Sequence, residues 1–211
     1  MKNANSLDYF SLLAKNNPGP LDVKVRKIND HSDLDAAFIK KYINKTTSLL
    51  DLASGSGLII NQLNTYVKKI VAVELFSEFS KYIKIADNIT IVNCDITQFS
   101  INEQFDLITM FGIVQYFNEE EILDIYQKYY NYLNSNGKII IKGQFAVNED
   151  VMVEGYSEQL KTTYYSHYRN IKKEISLLNK NNYKNIKVFD IYPSEFNHWG
   201  NTHFYAIVGE K

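Results

Sequence analysis

One short segment, residues 47–60, limits the possible folds more than any other part of the chain. It reads TSLLDLASGSGLII: an apolar run containing Asp51, then small residues with glycine at 55 and 57, then a second apolar run. This order predicts a buried strand, a tight loop and a helix start, which is how α/β domains seat a nucleotide. Because glycine lets the backbone approach a ligand where a Cβ atom would collide, we expect Gly55 and Gly57 to border a binding site.

Size and composition indicate a single α/β domain. The chain has 211 residues, of which 45% are hydrophobic, enough for one full core. A net charge of -1 supplies no global basic field for nucleic acid, so we expect no nucleic-acid partner. The single cysteine, Cys94, excludes an internal disulfide and a cysteine metal cluster. The first six residues lack a signal-peptide core and no apolar run has membrane-spanning length, so we expect a cytoplasmic protein without membrane contact.

The hydrophobic pattern alternates between strands and helices. Strands are predicted at 47–52, 70–74, 89–92, 105–111, 138–142, 186–192 and 204–208. Helices are predicted at 32–42, 57–66, 77–85, 118–133 and 168–179. This alternation predicts a mostly parallel sheet with helices on both faces, and the loop between the last two strands makes the last one antiparallel to its neighbour. Residues 1–30 are predicted to be irregular, and 143–166 to form an insertion over a ligand pocket.

Acidic residues follow the first three predicted strands. Asp51, Glu74 and Asp95 each stand at or next to a strand end. Ligands of open α/β sheets collect outside the carboxyl ends of the strands, so we expect the three carboxylates to face one site. A single solvated acid at a strand end is common, and only the series in register with the glycine loop favours a binding function.

Residues 51–57 resemble the first motif of class I S-adenosylmethionine-dependent methyltransferases, an acidic residue followed by G-x-G-x-G, with Ala53 replacing the first glycine. The resemblance covers residues 46–145. It implies one Rossmann-like domain over 1–211, with residues 1–45 as an amino-terminal cap, and a doubly wound, mostly parallel seven-stranded sheet whose last strand reverses at the edge. It implies S-adenosylmethionine as cofactor.

The same resemblance assigns roles to the acids. It implies that Glu74 accepts from the ribose hydroxyls, that Asp95 accepts from the adenine amino group, and that Asp51 organises the loop or meets the ammonium group. The implied cofactor-binding residues are Asp51, Ala53, Gly55, Gly57, Glu74, Leu75, Cys94, Asp95, Ile96 and Phe111. A dinucleotide-dependent oxidoreductase is the nearest competitor, but its G-x-G-x-x-G motif needs a third glycine where Ile60 stands, so the methyl donor is favoured.

The segment after the fourth strand, 111–117, limits the classes of methyl acceptor that fit the sequence. It lacks the Asp/Asn-Pro-Pro-aromatic motif of methylases that modify amino groups of bases, and Phe111 stands where catechol-type enzymes carry a metal-binding carboxylate. Both comparisons favour metal-independent transfer to another group. A hydroxyl acceptor needs a base, and histidine titrates near neutrality. We rank His198 first, His203 second and His167 third, although each histidine equally fits a role in holding loop backbone.

Several polar and aromatic residues are candidates for contact with the acceptor. They are Tyr116, Gln144, Tyr164, Tyr165, Arg169 and Trp199. The segments 164–169, 190–193 and 197–203 are similar to a small methyltransferase group found with bacterial surface-polysaccharide biosynthesis. That similarity implies a sugar or nucleotide-linked capsule precursor, including one that bears a phosphoramidate, methylated on oxygen. A non-catalytic cofactor-binding module that regulates a partner enzyme and a nucleic-acid or protein methyltransferase remain alternatives. The sequence leaves the oligomeric state open.

Overall fold

The computed structural model describes residues 4–16, 19–23, 30–158, 160–197 and 199–211. The strands of this part are β1 (Ser48–Leu52), β2 (Lys69–Glu74), β3 (Ile89–Asn93), β4 (Phe105–Phe111), β5 (Leu133–Ala146), β6 (Val151–Ser157), β7 (Thr162–Tyr168), β8 (Lys184–Phe189) and β9 (Thr202–Glu210). Its α-helices are α1 (Ala4–Lys15), α2 (Ser32–Ile39), α3 (Ser77–Ser80), α4 (Glu119–Asn131) and α5 (Ile171–Lys180).

Seven strands form one sheet in the order β3-β2-β1-β4-β5-β9-β8. Neighbours from β3 to β5 pair in parallel, whereas β9 is antiparallel to both β5 and β8. The predicted α/β fold with an antiparallel last strand is therefore confirmed. The predicted edge position of that strand is wrong: β8 forms the edge, because β5 continues to Ala146 and offers β9 nine paired positions.

Side-chain alternation along the parallel strands produces two cores, one on each face of the sheet. On one face, Leu50 and Leu52 pack in a cluster that includes Ile125 of α4 and Leu178 of α5. On the other face, Leu49 belongs to a cluster with residues of α2. Successive strand residues point to opposite faces, so a strand covered on both sides reads as an unbroken apolar run. The ends of these strands are thereby fixed in place.

The segment after β4 leads into a helix with a strong start signal. The Asn118 side chain accepts from the Glu121 N–H at 2.9 Å, and the Glu121 carboxylate accepts from the Asn118 N–H at 3.1 Å. This capping box satisfies two backbone donors at the beginning of α4. The pattern predicts a helix that reaches residue 133, but the helix ends at Asn131, because β5 already begins at Leu133.

Four segments differ from the sequence-based expectation. Residues 57–66 contain two 3₁₀ turns, Ile60–Gln62 and Asn64–Tyr66, instead of an α-helix, and α3 is a single turn. Residues 4–15, predicted to be irregular, form α1, which packs on β7. The predicted insertion at 143–166 divides into the end of β5 and an antiparallel hairpin, β6–β7, that extends to Tyr168. Tertiary contacts outweigh local preference in each case.

Candidate functional site

A cavity of about 640 Å³ lies at the carboxyl ends of the parallel strands. Its floor comes from the glycine loop after β1 and from the residues that follow β2, β3 and β4. Part of the wall belongs to a cover, defined here as α1, residues 19–23 and the β6–β7 hairpin. The cover contributes Leu7, Phe10, Val23, Val151 and Tyr164. Ligands of open α/β sheets bind outside the carboxyl ends of the strands, and the cavity has this position.

Most of the expected cofactor-binding residues line this one cavity. They are Asp51, Ala53, Gly55, Glu74, Leu75, Cys94, Asp95, Ile96 and Phe111. Gly57 is not part of the wall. It has a φ of +74°, and a Cβ atom there would lie 2.8 Å from Cγ1 of Ile83, so packing below the loop explains this glycine.

The backbone of the glycine loop turns through left-handed conformations. Ala53, at the position of the first glycine of the motif, has a φ of +59°, a conformation that costs a non-glycine residue about 1–2 kcal/mol. Gly55 has a φ of +56°, and a Cβ atom there would lie 2.9 Å from Cγ2 of Val23. The hydroxyl of Ser56 donates to the Pro20 carbonyl. The cover therefore rests directly on the loop.

Glu74, the last residue of β2, is fixed by two backbone donors. Its Oε2 accepts from the Gly55 N–H at 2.8 Å, and its Oε1 accepts from the Phe76 N–H at 3.0 Å. Burial raises the pKa of Glu74, while these hydrogen bonds oppose that change. A carboxylate oxygen has more than one lone pair, so both oxygens can still accept from a ligand.

Asp51 lies deeper, beneath the loop. The Thr109 hydroxyl donates to Asp51 Oδ1 at 2.5 Å, and burial raises the pKa of Asp51 to about 6. Asp95 follows β3 and is half-buried. Burial raises the pKa of Asp95, but the hydrogen bonds from the N–H and hydroxyl of Thr97 lead the opposing effects, and the net direction is downward. The wall thus carries three carboxyl groups at the ends of adjacent strands.

This arrangement fits an adenosyl cofactor. Ionised carboxylates are acceptors only, so a wall with Asp51, Glu74 and Asp95 suits a ligand that presents several donors. S-adenosylmethionine presents ribose hydroxyls, an adenine amino group and an ammonium group, and apolar side chains such as Ile96 and Phe111 border the same space. When bound, the cofactor supplies a methyl group on a positively charged sulfur.

Phenolic side chains form the opposite end of the cavity. The Tyr116 and Tyr164 hydroxyls lie 3.3 Å apart, and the Ser166 hydroxyl donates to Tyr164 at 2.5 Å. Burial raises the pKa of Tyr116 to about 12, so its phenol keeps its proton at neutral pH. Rings of α1 pack edge-on against both phenols, Tyr9 on Tyr164 and Phe10 on Tyr116.

Gln115 also lines this end, and sequence reasoning missed it. Its Nε2 donates to the Gly112 carbonyl at 2.8 Å, whereas its buried Oε1 has no hydrogen-bond partner among the described residues. A buried acceptor without a partner costs about 1–3 kcal/mol. The only feature of the sequence that indicated Gln115 as a site residue was its place directly before Tyr116.

Lys142 and Asp35 form a buried ion pair in the wall, which was likewise absent from the predicted site. Lys142 Nζ lies 3.0 Å from Asp35 Oδ2, and the Tyr192 hydroxyl donates to Asp35 Oδ1 at 2.6 Å. The side chains of Lys142 and Asp35 are 12% and 1% exposed. The pair ties α2 to β5. Lys142 was detectable because it ends the fifth predicted strand, as the acids end the first three.

Of the expected acceptor-binding residues, Tyr116, Gln144, Tyr164 and Trp199 line the cavity. Gln144 Nε2 donates to the Thr202 hydroxyl at 2.6 Å, which links β5 to β9 beside the acceptor end. The structure does not bring Tyr165 or Arg169 to the wall. Tyr165 alternates with Tyr164 along β7 and points to the opposite face. Arg169 is buried, and its guanidinium donates to protein groups.

The ranked histidines are not brought to the cavity wall where they are described. His167 alternates with Ser166 on β7, and its Nε2 lies 3.0 Å from Asp150 Oδ2. His203 alternates with Thr202 and Phe204, which both line the cavity, and its own Nε2 lies 2.8 Å from Asp190 Oδ2. The period of two along a strand explains both placements. His198 lies outside the described residues.

Comparison with known proteins supports a methyltransferase. Residues 49–137 match a family model described as a methyltransferase domain. No match was found among curated protein sequences. Within the described residues, no helix combines the length and apolar character that crossing a bilayer requires.

Solved structures of methyltransferases share the fold. One is an S-adenosylmethionine-dependent methyltransferase from Listeria monocytogenes, with 17% identity and a TM-score of 0.69 over 85% of this chain and 99% of that chain. The DhpI–SAM–HEP complex has 12% identity and a TM-score of 0.73 over 99% of both chains. A 1,6-didemethyltoxoflavin-N1-methyltransferase from Burkholderia thailandensis, solved with S-adenosylhomocysteine, has 13% identity and a TM-score of 0.72 over 99% and 91%.

At such low identities, these structural likenesses establish the fold alone. The matched methyltransferase domain spans the glycine loop, Glu74 and Asp95, and together with the fold it supports the class I family. Residues 49–137 therefore form a methyltransferase domain, within a chain that has the fold of S-adenosylmethionine-dependent methyltransferases.

Proposed function

We propose that the enzyme methylates an oxygen atom of a small polar acceptor. The observation that carries this proposal is the cover over the cavity. Because α1 and the β6–β7 hairpin supply part of the wall, the space of about 640 Å³ suits a cofactor with a small molecule better than a protein or nucleic-acid chain. The near-neutral net charge of -1 agrees with this choice.

In this proposal the glycine loop and the three acids hold the cofactor. Glu74 accepts hydrogen bonds from the ribose hydroxyls, and Asp95 accepts one from the adenine amino group. Asp51 either accepts from the ammonium group or organises the glycine loop. Cys94 and Ile96 border the adenine ring. Each role follows the family resemblance and is supported by the place of these residues in the cavity wall.

The acceptor end binds its substrate through neutral hydrogen-bonding groups. Tyr116 and Tyr164 keep their protons, because burial raises the pKa of both phenols, so each can donate to an acceptor oxygen. Gln115, Gln144 and Trp199 complete this end. Holding the oxygen against the donor methyl group provides most of the catalysis, an effect worth about 7–11 kcal/mol in favourable reactions.

We keep His198 as the proposed base for the acceptor hydroxyl. It precedes Trp199, which lines the cavity, whereas His167 and His203 contact Asp150 and Asp190 instead. No metal ion is assigned to the reaction, because the strand end that carries a metal-binding carboxylate in catechol-type enzymes carries Phe111 here. A positioned base typically contributes about 10²–10⁴-fold.

For the acceptor itself we propose a sugar or nucleotide-linked capsule precursor, including precursors that bear a phosphoramidate. The resemblance of residues 164–169, 190–193 and 197–203 to enzymes of surface-polysaccharide biosynthesis supports this choice. The test is transfer of tritium from methyl-labelled S-adenosylmethionine to a panel of nucleotide sugars and capsule precursors, with bulk RNA and a protein mixture alongside.

Label on a small acceptor, with loss of most turnover in His198→Ala, is the expected result. Undiminished turnover in His198→Ala contradicts the base assignment alone. Label on RNA or protein only overturns the proposed acceptor class. Cofactor binding without transfer to anything in the panel favours a non-catalytic module that regulates a partner enzyme.

A further inference from the structure

The short segment between β4 and α4 carries two residues of the acceptor end, and one of its own hydrogen bonds is long. Gln115 and Tyr116 lie in a single 3₁₀ turn, Val114–Tyr116. The Phe117 N–H reaches the Val114 carbonyl at 3.4 Å, which is long compared with about 2.9–3.0 Å for a typical backbone bond. The Tyr116 N–H donates to the Ile113 carbonyl at 3.1 Å, so the end of the turn at Phe117 is the part with the longest internal hydrogen bond.

Arg169 contacts the turn from outside the segment. Its Nη1 donates to the Phe117 carbonyl at 2.6 Å, and its Nη2 donates to the Val114 carbonyl at 2.8 Å. The planar guanidinium thus bridges two carbonyls that bracket Gln115 and Tyr116 in the sequence. A lysine ammonium, a compact charge on a flexible stem, does not reproduce this paired geometry.

A buried carboxylate fixes the guanidinium in turn. Arg169 Nε donates to Glu174 Oε2 at 2.6 Å, and the Tyr126 hydroxyl donates to Glu174 Oε1. The side chains of Arg169 and Glu174 are 1% and 0% exposed. Burial lowers the pKa of Arg169, but the Glu174 carboxylate raises it and the net direction is upward, so the charge is kept.

Arg169 also follows β7 directly, and β7 carries Tyr164. The Tyr164 hydroxyl lies 3.3 Å from that of Tyr116. One side chain therefore connects the two parts of the chain that meet at the acceptor end, the turn after β4 and the end of the hairpin.

We propose that Arg169 is a positioning residue, which holds Gln115 and Tyr116 at the acceptor end without contacting the substrate. That this end binds the methyl acceptor rests on the proposed function, whereas the positioning of the turn rests on the contacts of Arg169 alone. The substitution that removes the bridge with least change of charge is Arg169→Lys.

The test places 3-fluorotyrosine at position 116 of the full-length protein and records its fluorine NMR spectrum. We expect one resonance in the parent protein, and a shifted or split resonance in Arg169→Lys as the turn populates a second arrangement. The affinity for S-adenosylhomocysteine, measured by calorimetry, stays within about twofold of the parent value, because Glu74 and the loop are untouched.

Tyr126→Phe is the matched control. It removes a hydroxyl from the same Glu174 network but keeps the ring and the bridge from Arg169 to the turn, so it lowers the melting temperature and leaves the Tyr116 resonance in place. If Arg169→Lys fails to fold, Glu174→Gln replaces the charged partner of Arg169 Nε by a neutral amide, which holds the guanidinium less firmly, so the resonance is expected to shift in the same direction.

Two results overturn the proposal: an unchanged resonance in folded Arg169→Lys or Glu174→Gln, or an equal shift in Tyr126→Phe. Failure of the proposed function would show itself differently. It would appear as missing cofactor binding or missing turnover in the parent protein, with the response of the Tyr116 resonance to Arg169→Lys intact.

Discussion

At the scale of single residues, the acids of the cavity are held in different ways, and their substitutions should have different effects. Glu74 is bound to the loop through the N–H groups of Gly55 and Phe76, whereas Asp51 receives the Thr109 hydroxyl. Glu74 therefore combines loop geometry with ligand binding. A substitution of Asp51 should mainly show the effect of burying its carboxyl group.

Glu74→Gln should weaken cofactor binding. The amide offers one acceptor oxygen and turns an N–H₂ group toward a backbone donor. A hydrogen bond to a charged group is worth roughly 1.5–3 kcal/mol. We therefore expect the Kd for S-adenosylhomocysteine to rise about tenfold to hundredfold. Isothermal calorimetry measures it. Glu78→Gln on α3, which lies outside the cavity wall, is the control. Parent-like affinity in Glu74→Gln would remove Glu74 from the proposed site.

Asp51 should make stability depend on pH. Its pKa is about 6 in the folded protein against 3.8 for an unperturbed group, because burial disfavours the charge. The stabilisation from the protonated carboxyl is present below about pH 4 and is lost as the pH rises through about 6, a change of about 3 kcal/mol. Asp51→Asn lacks this titration. Urea unfolding at about pH 4 and 7 measures the free energy of unfolding of both proteins. As the pH rises, the parent should lose more of this free energy than Asp51→Asn. An equal change in both proteins would contradict the raised pKa of Asp51.

Local sequence predicted the residues that follow strands, and it failed where side-chain direction mattered. The acids and Gly55 line the cavity, as expected from strand order alone. His203 and His167 were ranked as bases from composition, but the two-residue period of β9 and β7 points them away from the cavity. Arg169 looked like a substrate ligand because burial by distant segments is not visible in a local pattern.

At the scale of elements, the parallel core was predictable and the cover was not. The strands from β1 to β4 are recognisable as apolar runs, and acidic residues stand at or next to the ends of the first three. The helix α1 has no acidic residue in its first turn, and it gains support from packing on β7 far along the chain. Most helical stability comes from such tertiary packing, which local propensity cannot supply.

The cover should control how long the cofactor stays bound. The Phe10 ring of α1 packs edge-on against Tyr116 at 5.1 Å and lines the cavity. Removing this contact in Phe10→Ala forfeits about 0.5–1.5 kcal/mol for the ring pair, so S-adenosylhomocysteine should dissociate about twofold to tenfold faster. Stopped-flow fluorescence of Trp199 measures the rate.

The control for this rate is Lys15→Ala, at the exposed end of α1. An unchanged dissociation rate in Phe10→Ala would mean that α1 does not retain the cofactor. An equal acceleration in Lys15→Ala would point to general loosening of the helix.

At the scale of the whole molecule, cofactor binding should stabilise the fold. At about 100 times its Kd, S-adenosylhomocysteine adds about 2.7 kcal/mol, which corresponds to roughly 5–10 °C in Tm for a domain of this size. Differential scanning calorimetry measures the shift. NAD at the same concentration should leave Tm unchanged, and an equal shift with NAD would favour the dinucleotide alternative.

The interior place of β9 has a consequence for synthesis on the ribosome. Its residues, Thr202–Glu210, fill the space between β5 and β8. A nascent chain that has not yet released this segment exposes two sheet edges, and open edges invite pairing with other chains. The sheet can therefore close only after β9 has been synthesised, and a chain truncated after residue 190, between β8 and β9, should aggregate, which light scattering would detect.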